Sequence, residues 1–595
     1  YVMPLPAAFN LSALITLALN GTGMFTLAKH LTQRRKDAKT QSSLTTENIE
    51  GSPHPPPKGE GETSAASGGE AAFLSGLIFM LYPTFQGHLA AAHTGLLTLW
   101  GVPLMVLALL RVREDRRYIL IGAGLFAVSL WGSLLILIYL IAPILMVYLA
   151  ILIRRRDRVL LRRTMITLML GGVFAAPFVL PILRETSGNA LEGGVIRYSA
   201  SLLGIVSPSF NHPIFGVLDY PRRVLGVDPF EGAAYVGLIA AALCVIGLIK
   251  RRESRWWLVI ALIAWVFSLG SLLKLYDTPI TVQVGDYATA IPLPAAILQF
   301  LPVLNIARTP GRFNFAVGFA VAIMAGYGAS TLAQWIRSPL FRRIAFIGIA
   351  ALILFDYQFF FPVPTVDAAI PDAINLLADD IRAVFDVPFD HPLVDKEGLY
   401  LQTAHGQAMI AGHITRQTPL DPAKGWLLQT FDPALLDLAG VDIVILHREW
   451  DDPALESSVR DRLGVPIYED ERFAVFDVAP YTGDSPAFTW MSRVGDSITD
   501  VYFYAPAPGE VILNGRISAD RRGAALTLDG VPLVTWTVSG EQGWNLPITF
   551  REAGFHTLAL SVDPACAVPN DPTLACRPLH IDQLELRDYR PFTRP

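Results

Sequence analysis

The sequence predicts a polytopic α-helical membrane domain of about ten transmembrane helices, followed by a small α/β domain and a C-terminal antiparallel β-sandwich. Three observations predict it. Of 595 residues, 52% are hydrophobic and only 17% charged, where soluble domains carry about 25% charged residues. The charge changes sign along the chain: residues 1–364 hold 30 Lys and Arg against 18 Asp and Glu, and residues 365–595 hold 17 against 34. The first part consists of apolar runs punctuated by short basic clusters, and the second has the mixed composition of a soluble protein. A formal charge of −5 leaves no basic surplus to meet a phosphate backbone, which excludes a nucleic-acid partner.

A helix needs about 20 predominantly apolar residues to cross the hydrocarbon core. Candidate spans run over 8–30, 71–87, 92–110, 118–133, 136–153, 165–183, 233–249, 256–273, 313–335 and 344–362. The stretch 118–153 is too long for one crossing and divides around Trp131, Gly132 and Ser133, which predicts a tight hairpin. The polar segment 37–70, which contains HPPPKGEGE, reads as a disordered cytoplasmic linker.

If the helices alternate, the basic clusters at 34–36, 111–117, 154–163, 250–255 and 337–343 all fall on one side, which the positive-inside rule assigns to the cytoplasm. Two long loops, 184–232 and 274–312, and everything after helix ten then lie outside, so the protein is expected to be a multi-pass cell-membrane protein with an extracytoplasmic C-terminal region. Tyr1 would also start outside without a signal peptide, so an upstream helix and external loop are expected before it.

Three cysteines are too few for a disulfide framework. Cys244 lies in an apolar run, where an inert thiol is the default, whereas Cys566 and Cys576 bracket the loop AVPNDPTLA and are spaced for a single bridge. A disulfide belongs in an oxidising compartment, in agreement with the parity of ten spans.

The cytoplasmic connections contain no phosphate loop and no dinucleotide fingerprint, which disfavours nucleotide-driven chemistry. Ionisable residues are nearly absent at mid-depth, where coupled transporters place them. Asp356, near the outer end of helix ten, reads as a capped or interfacial carboxylate. Chemistry is therefore expected at the outer face. In the first long loop Asp228 and Glu231 are candidate general bases or metal-binding carboxylates, and His212 is a supporting outer-face residue. In the second, Arg308 and Arg312 could grip the phosphate of a lipid-linked donor, since a guanidinium fork suits phosphate oxygens; the alternative is snorkelling or a salt bridge to an acid of the first loop. His88 and His93 lie where helices two and three meet. In a continuous helix a spacing of five turns them about 140° apart, which argues against a two-His metal pair and for hydrogen-bonded loop histidines. No cofactor is required by the sequence, a divalent metal ion being the one candidate.

The pattern AAFLSGLIFMLYPTFQGHLAAAHTGLLTLWGVPLMVLALLR, followed by SPSFNHPIFG and later by LPVLNIARTPGRFNFAVGFAVAIMAGYGAS, resembles polytopic bacterial glycosyltransferases of the GT-C type. It is carried by hydropathy, by His, Trp and Pro placement and by the Arg-Thr-Pro-Gly-Arg turn, over roughly residues 1–480. The resemblance implies transfer of a sugar, a hexosyl group by default, from a polyprenyl-phosphate carrier to a glycan or protein acceptor outside the cytoplasm. It also implies a catalytic acid in the first external loop, which the topology puts upstream of Tyr1. Lipid-linked donor, membrane lipid and acceptor are then the partners. The alternative function is a non-enzymatic membrane protein whose extracytoplasmic part binds glycans or anchors a cell-surface assembly.

Residues 365–482 alternate helical and strand patterns, as in DAINLLADDI, VDIVILHREW and ALESSVRDRLG, and predict a small α/β domain. There His405 and His413, with Arg416 nearby, read as a structural loop. From 483 to 595 short alternating strands separated by the turn signals LNG and LDG predict the sandwich, which resembles carbohydrate-binding modules. Trp536 and Trp544 are its candidate sugar platforms, with a core role as the alternative.

Overall fold

The apolar runs fold as helices, and proline and glycine decide where each one ends. The structure, a computed structural model, describes residues 3–47, 60–186, 195–226, 228–284, 287–301, 304–359, 367–375, 377, 380–410, 412, 422–450, 453–494, 499–563 and 580–592. The chain divides into two compact units, Tyr1–Val366 and Asp367–Pro595.

In the first unit the helices are α1 Leu5–Glu47, α2 Glu60–Met80, α3 Pro83–Ala90, α4 Thr94–Leu97, α5 Gly101–Arg111, α6 Arg117–Gly132, α7 Ala142–Arg154, α8 Arg158–Thr186, α9 Tyr220–Leu225, α10 Pro229–Gly232, α11 Leu238–Lys250, α12 Ser254–Ser268, α13 Asn314–Trp335 and α14 Pro339–Asp356. The second long loop carries two small antiparallel hairpins, β1 Lys274–Leu275 with β2 Thr278–Pro279 and β3 Thr281–Val284 with β4 Tyr287–Ala290.

Among the described residues, five helical segments are long and apolar enough to cross a membrane: Leu5–Gln33, Thr94–Arg111, Leu137–Arg154, Arg158–Arg184 and Pro310–Trp335. Four shorter apolar helices, Gly68–Met80, Arg117–Gly132, Leu238–Lys250 and Ser254–Ser268, fall below that length, so among the described residues five of the ten expected spans reach it. The shortfall has local causes. Pro83 opens a new helix inside the run 71–87, residues 233–237 stay out of helix ahead of α11, and the chain leaves α12 at Gly270 with φ +81°. The break at 131–133 does occur: Ser133 is extended (φ −166°, ψ 128°) and a π-helical turn at Leu137–Ile141 leads into α7. However, α6 packs on α5 and α8, so the pair is not a simple hairpin. Of the expected linker, residues 48–59 lie outside the described residues, and its two ends are helical. Residues 37–47 continue α1 and residues 60–70 begin α2, because extending an existing helix gains a hydrogen bond for each residue fixed.

Helix α13 is the axis of this unit, packed by α2, α11 and α12, with 94% of its apolar window buried. In α8 only 17% of the window is buried, and Met169, Val173, Phe174 and Phe178 face outward. A helix that is apolar all round and uncovered on one side suits a hydrocarbon surrounding. Near the C-terminal half of α13 a cavity of about 680 Å³ is lined by Arg113, Arg155, Arg251 and Arg252 together with Tyr327 and Ser330, so three of the five basic clusters meet at one end of the bundle.

The second unit begins with α15 Asp372–Asn375, β5 Val384–Val387, α16 Pro392–His405, α17 Pro422–Leu428, α18 Pro433–Leu438, β6 Ile443–His447, α19 Pro453–Leu463, β7 Tyr468–Glu469 and β8 Phe473–Asp477. The sheet order is β5-β6-β8-β7, with β5 and β6 parallel and the other pairs antiparallel. Strands β9 Thr489–Val494, β10 Thr499–Ala505, β11 Gly509–Leu528, β12 Val531–Phe550, β13 Gly554–Asp563 and β14 His580–Pro591 form one continuous antiparallel sheet. It is folded over. β11 pairs with β14 along its first half and with β13 along its second, changing register between Ala519 and Arg522. Trp536 and Trp544, eight apart on β12 and hence about 26 Å apart on a straight strand, have ring centroids 5.5 Å apart. The bend lies at Gly540, φ +72°. Leu558 and Leu560 of β13 and Leu584 and Leu586 of β14 share one core. Cys566, Cys576, His413 and Arg416 lie outside the described residues.

Candidate functional site

The connections at the N-terminal end of α13 bring together residues far apart in sequence. Pro83 starts α3 with φ already fixed, and His88, near the end of this short helix, is fully buried. The helix stops at Ala91, Ala92 adopts φ +57°, and the His93 amide donates to the His88 carbonyl at 2.8 Å. This turn replaces the continuous helix on which the angular argument depends, and it folds His93 back until the two Nδ1 atoms are 3.1 Å apart. The prediction that a spacing of five separates the rings is therefore corrected. The two rings are hydrogen-bonded partners, as the reading of hydrogen-bonded histidines has it, but to each other.

Glu231 comes from α10, a single turn capped by the Asp228 side chain, which accepts from the Glu231 amide at 3.1 Å. Thr84 of α3 donates to the Ala233 carbonyl at 2.6 Å and fastens the two elements together. Glu231 is 4% exposed, and its Oε2 is 3.8 Å from His88 Nε2. That separation is beyond hydrogen-bond reach, and His88 Nε2 has no hydrogen-bond partner among the described residues.

Arg312 closes the cluster. Its Nε donates to both Glu231 oxygens at 3.1 Å, and Nη2 donates to Oε1. Gly311 makes the approach possible, since it donates to the Tyr198 carbonyl at 2.8 Å while a Cβ there would come within 2.2 Å of the Glu231 carbonyl oxygen. Phe315 packs edge-on against His88 with centroids 5.0 Å apart, and Tyr139 hydroxyl contacts Thr309 Oγ1 at 2.9 Å. Burial pushes the His88 pKa well below the ordinary imidazole range, and the Arg312 charge and the His93 ring act in the same direction. Burial raises the Asp228 carboxyl above its usual value, against the lowering effect of its bond from the Glu231 amide.

The other sequence candidates are placed as follows. Arg308 is half-buried, with no hydrogen bond or ion pair among the described residues. His212 is buried and structural: Nε2 meets the Phe355 carbonyl at 3.1 Å and Nδ1 accepts from Ile214 N. Asp356 ends α14 and accepts from Tyr235 hydroxyl at 2.7 Å and from Ile239 N, so it caps α11. Trp536 and Trp544 contact each other edge-to-face on the sheet core. Cys244 is buried, its thiol donating to the Val321 carbonyl.

A second polar cluster, in the α/β domain, was not anticipated. His447, last residue of β6 and 1% exposed, bonds Asp386 Oδ1 and Glu397 Oε2, each at 2.8 Å. Arg472 holds the other Glu397 oxygen at 2.6 Å. Burial lowers the His447 pKa, but the two carboxylates outweigh it and carry the imidazole up to about 9. Burial, then Asp390 and Asp386, raise Asp395 to about 6. Sequence alone gave one hint, a His closing an otherwise apolar strand in VDIVILHREW.

Residues 63–358 match the family described as Domain of unknown function (DUF6311), a span that includes His88, His93, Glu231 and Arg312. Among solved structures, the chain is similar to the arabinofuranosyltransferase AftD from Mycobacteria, determined by single-particle cryo-EM, at 12% identity and a TM-score of 0.40. The match covers 89% of this chain and 53% of that one, so the chain spans about half the length of that relative. No curated protein matches.

Proposed function

We propose that the chain is a multi-pass membrane glycosyltransferase that moves a sugar from a polyprenyl-phosphate-linked donor to an acceptor outside the cytoplasm. The carrying observation is the gathering of two imidazoles, a carboxylate and a guanidinium at one end of an otherwise apolar bundle whose other end collects the arginine clusters. Positive residues mark the cytoplasmic end, so the centre belongs to the outer surface. A lipid-linked donor accounts for many apolar helices without a nucleotide site.

In an inverting transfer a carboxylate takes the proton of the acceptor hydroxyl, the freed oxygen bonds to the anomeric carbon, and the bond to the carrier phosphate breaks with its electrons on that phosphate. Asp228, more exposed than Glu231 and with its pKa raised, is the candidate base. Arg308 has its guanidinium available for the leaving phosphate, and Arg312, engaged with Glu231, holds the centre in shape. Trp536 and Trp544 are retained as the acceptor-sugar candidates.

The test is consumption of radiolabelled polyprenyl-phosphate pentoses and hexoses by the full chain in liposomes. Arg308→Ala is expected to lower kcat/KM about 100-fold and Asp228→Asn to lower kcat. A folded protein that neither binds nor consumes any donor in the panel overturns the reading.

A further inference from the structure

We infer that His88, His93 and Glu231 form a binding site for a divalent first-row transition-metal ion of the zinc class. A donor atom of each residue lies within 4.8 Å of the other two. Ligand atoms bound about 2.0–2.2 Å from one ion stand about 3.2–4.2 Å apart, so small side-chain rotations bring the three into coordination. Two imidazoles and one carboxylate are a donor set that suits zinc or cobalt and disfavours magnesium and calcium, which take oxygen ligands. Three protein ligands also leave a position open for water or a substrate oxygen, as in catalytic rather than structural zinc sites.

A second observation points to the ligand independently. His88 is fully buried, yet among the described residues its Nε2 has no hydrogen-bond partner, and it faces Glu231 Oε2 from 3.8 Å. A buried polar atom without a partner costs about 1–3 kcal/mol, and an ion between these two atoms removes that cost. Arg312 then has the part that hydrogen-bonded neighbours of metal-bound carboxylates have elsewhere. Its Nε donates to both Glu231 oxygens and its Nη2 to Oε1, which fixes the carboxylate with Oε2 3.8 Å from His88 Nε2. His93 is half-exposed, so the site opens to solvent on that side. The ion site stands on this geometry whichever reaction the centre serves.

The experiment uses the full chain in detergent, stripped by chelation and titrated with Zn²⁺ and, separately, Co²⁺. The expected result is one equivalent of Zn²⁺ per chain and visible Co²⁺ absorption of a four- or five-coordinate site. His93→Ala and His88→Gln are each expected to weaken binding at least about 100-fold, with metal-free His93→Ala still folded, at an unfolding temperature lowered by the loss of its contact with His88 Nδ1. If His88→Gln does not fold, His93→Ala alone decides. Absence of stoichiometric binding by the unsubstituted chain, or undiminished binding by His93→Ala, overturns the site. Donor consumption is read separately. Ion binding without turnover sinks only the glycosyltransferase reading, and turnover by a chain that binds no ion sinks only the ion site.

Discussion

His447 shows how much one buried side chain can be asked to hold. Removing it leaves Asp386, itself 1% exposed, facing Glu397 without a cation between them. Breaking such a buried pair costs about 3–5 kcal/mol, so His447→Gln is expected to lower the stability of the second unit by that amount in urea unfolding of the full chain. The pH dependence has a definite sign. The folded-state pKa of about 9 is above the value of about 6.5 for a free imidazole. The stabilisation is therefore complete below about pH 6.5 and is lost as pH rises through about 9, where His447 deprotonates. A midpoint that did not fall between pH 7 and 10, or fell equally in His447→Gln, would contradict it. At the other cluster Gly311→Ala is expected to force its new methyl against the Glu231 carbonyl and cost about 1–3 kcal/mol, read as a lower unfolding temperature.

At the scale of elements, α8 supplies the clearest prediction. Val173 is near the middle of the Arg158–Arg184 span and is 62% exposed. An arginine at the centre of a spanning helix costs about 2.5–3.5 kcal/mol, so Val173→Arg is expected to reduce membrane insertion measured by glycosylation tagging, while Val173→Ala is tolerated. Equal insertion of both would show that this face does not meet lipid. Legibility of the sequence also divides here. Apolar runs located the long helices of the first unit, because hydropathy is a local property, but not the short helices α9 and α10 or the hairpins β1–β2 and β3–β4 in the two long loops. They could not show that five residues of the run 233–249 stay out of helix or that α3 ends at Ala90, since both outcomes depend on contacts such as Thr84 with Ala233. The same limit applied to the site. Asp228, Glu231 and Arg312 were legible as charges in loops expected outside, and His88 and His93 as polar residues between spans. The Arg312–Glu231 salt bridge is one of the alternatives the loop charges offered, but the approach of the two histidines to it was not legible, because one left-handed residue, Ala92, reverses the angular argument. The Glu397–His447–Asp386 network joins residues 50 and 61 positions apart and left only a strand-end histidine as a trace.

For the whole molecule the decisive question is which way the chain threads the bilayer. The cavity lined by Arg113, Arg155, Arg251 and Arg252 marks one end, and Arg312 stands just ahead of α13, which runs 22 residues, about 33 Å, towards Trp335. A chain with Cys244→Ala retains only Cys566 and Cys576. In intact cells these thiols are expected to react with a membrane-impermeant maleimide after reduction and not before. Labelling that required permeabilised cells would reverse the assignment of both ends.

The cluster at His88 is assembled from three stretches of chain, 88–93, 228–231 and 308–312, separated by well over a hundred and by nearly eighty residues of intervening sequence. No nascent fragment shorter than this can complete it. While the ribosome is still making the last helices, the two histidines and the glutamate wait without the arginine that holds them. Loading of the centre is thus a late event in biosynthesis, and a truncated product that ends before Gly311 would be inserted yet inert.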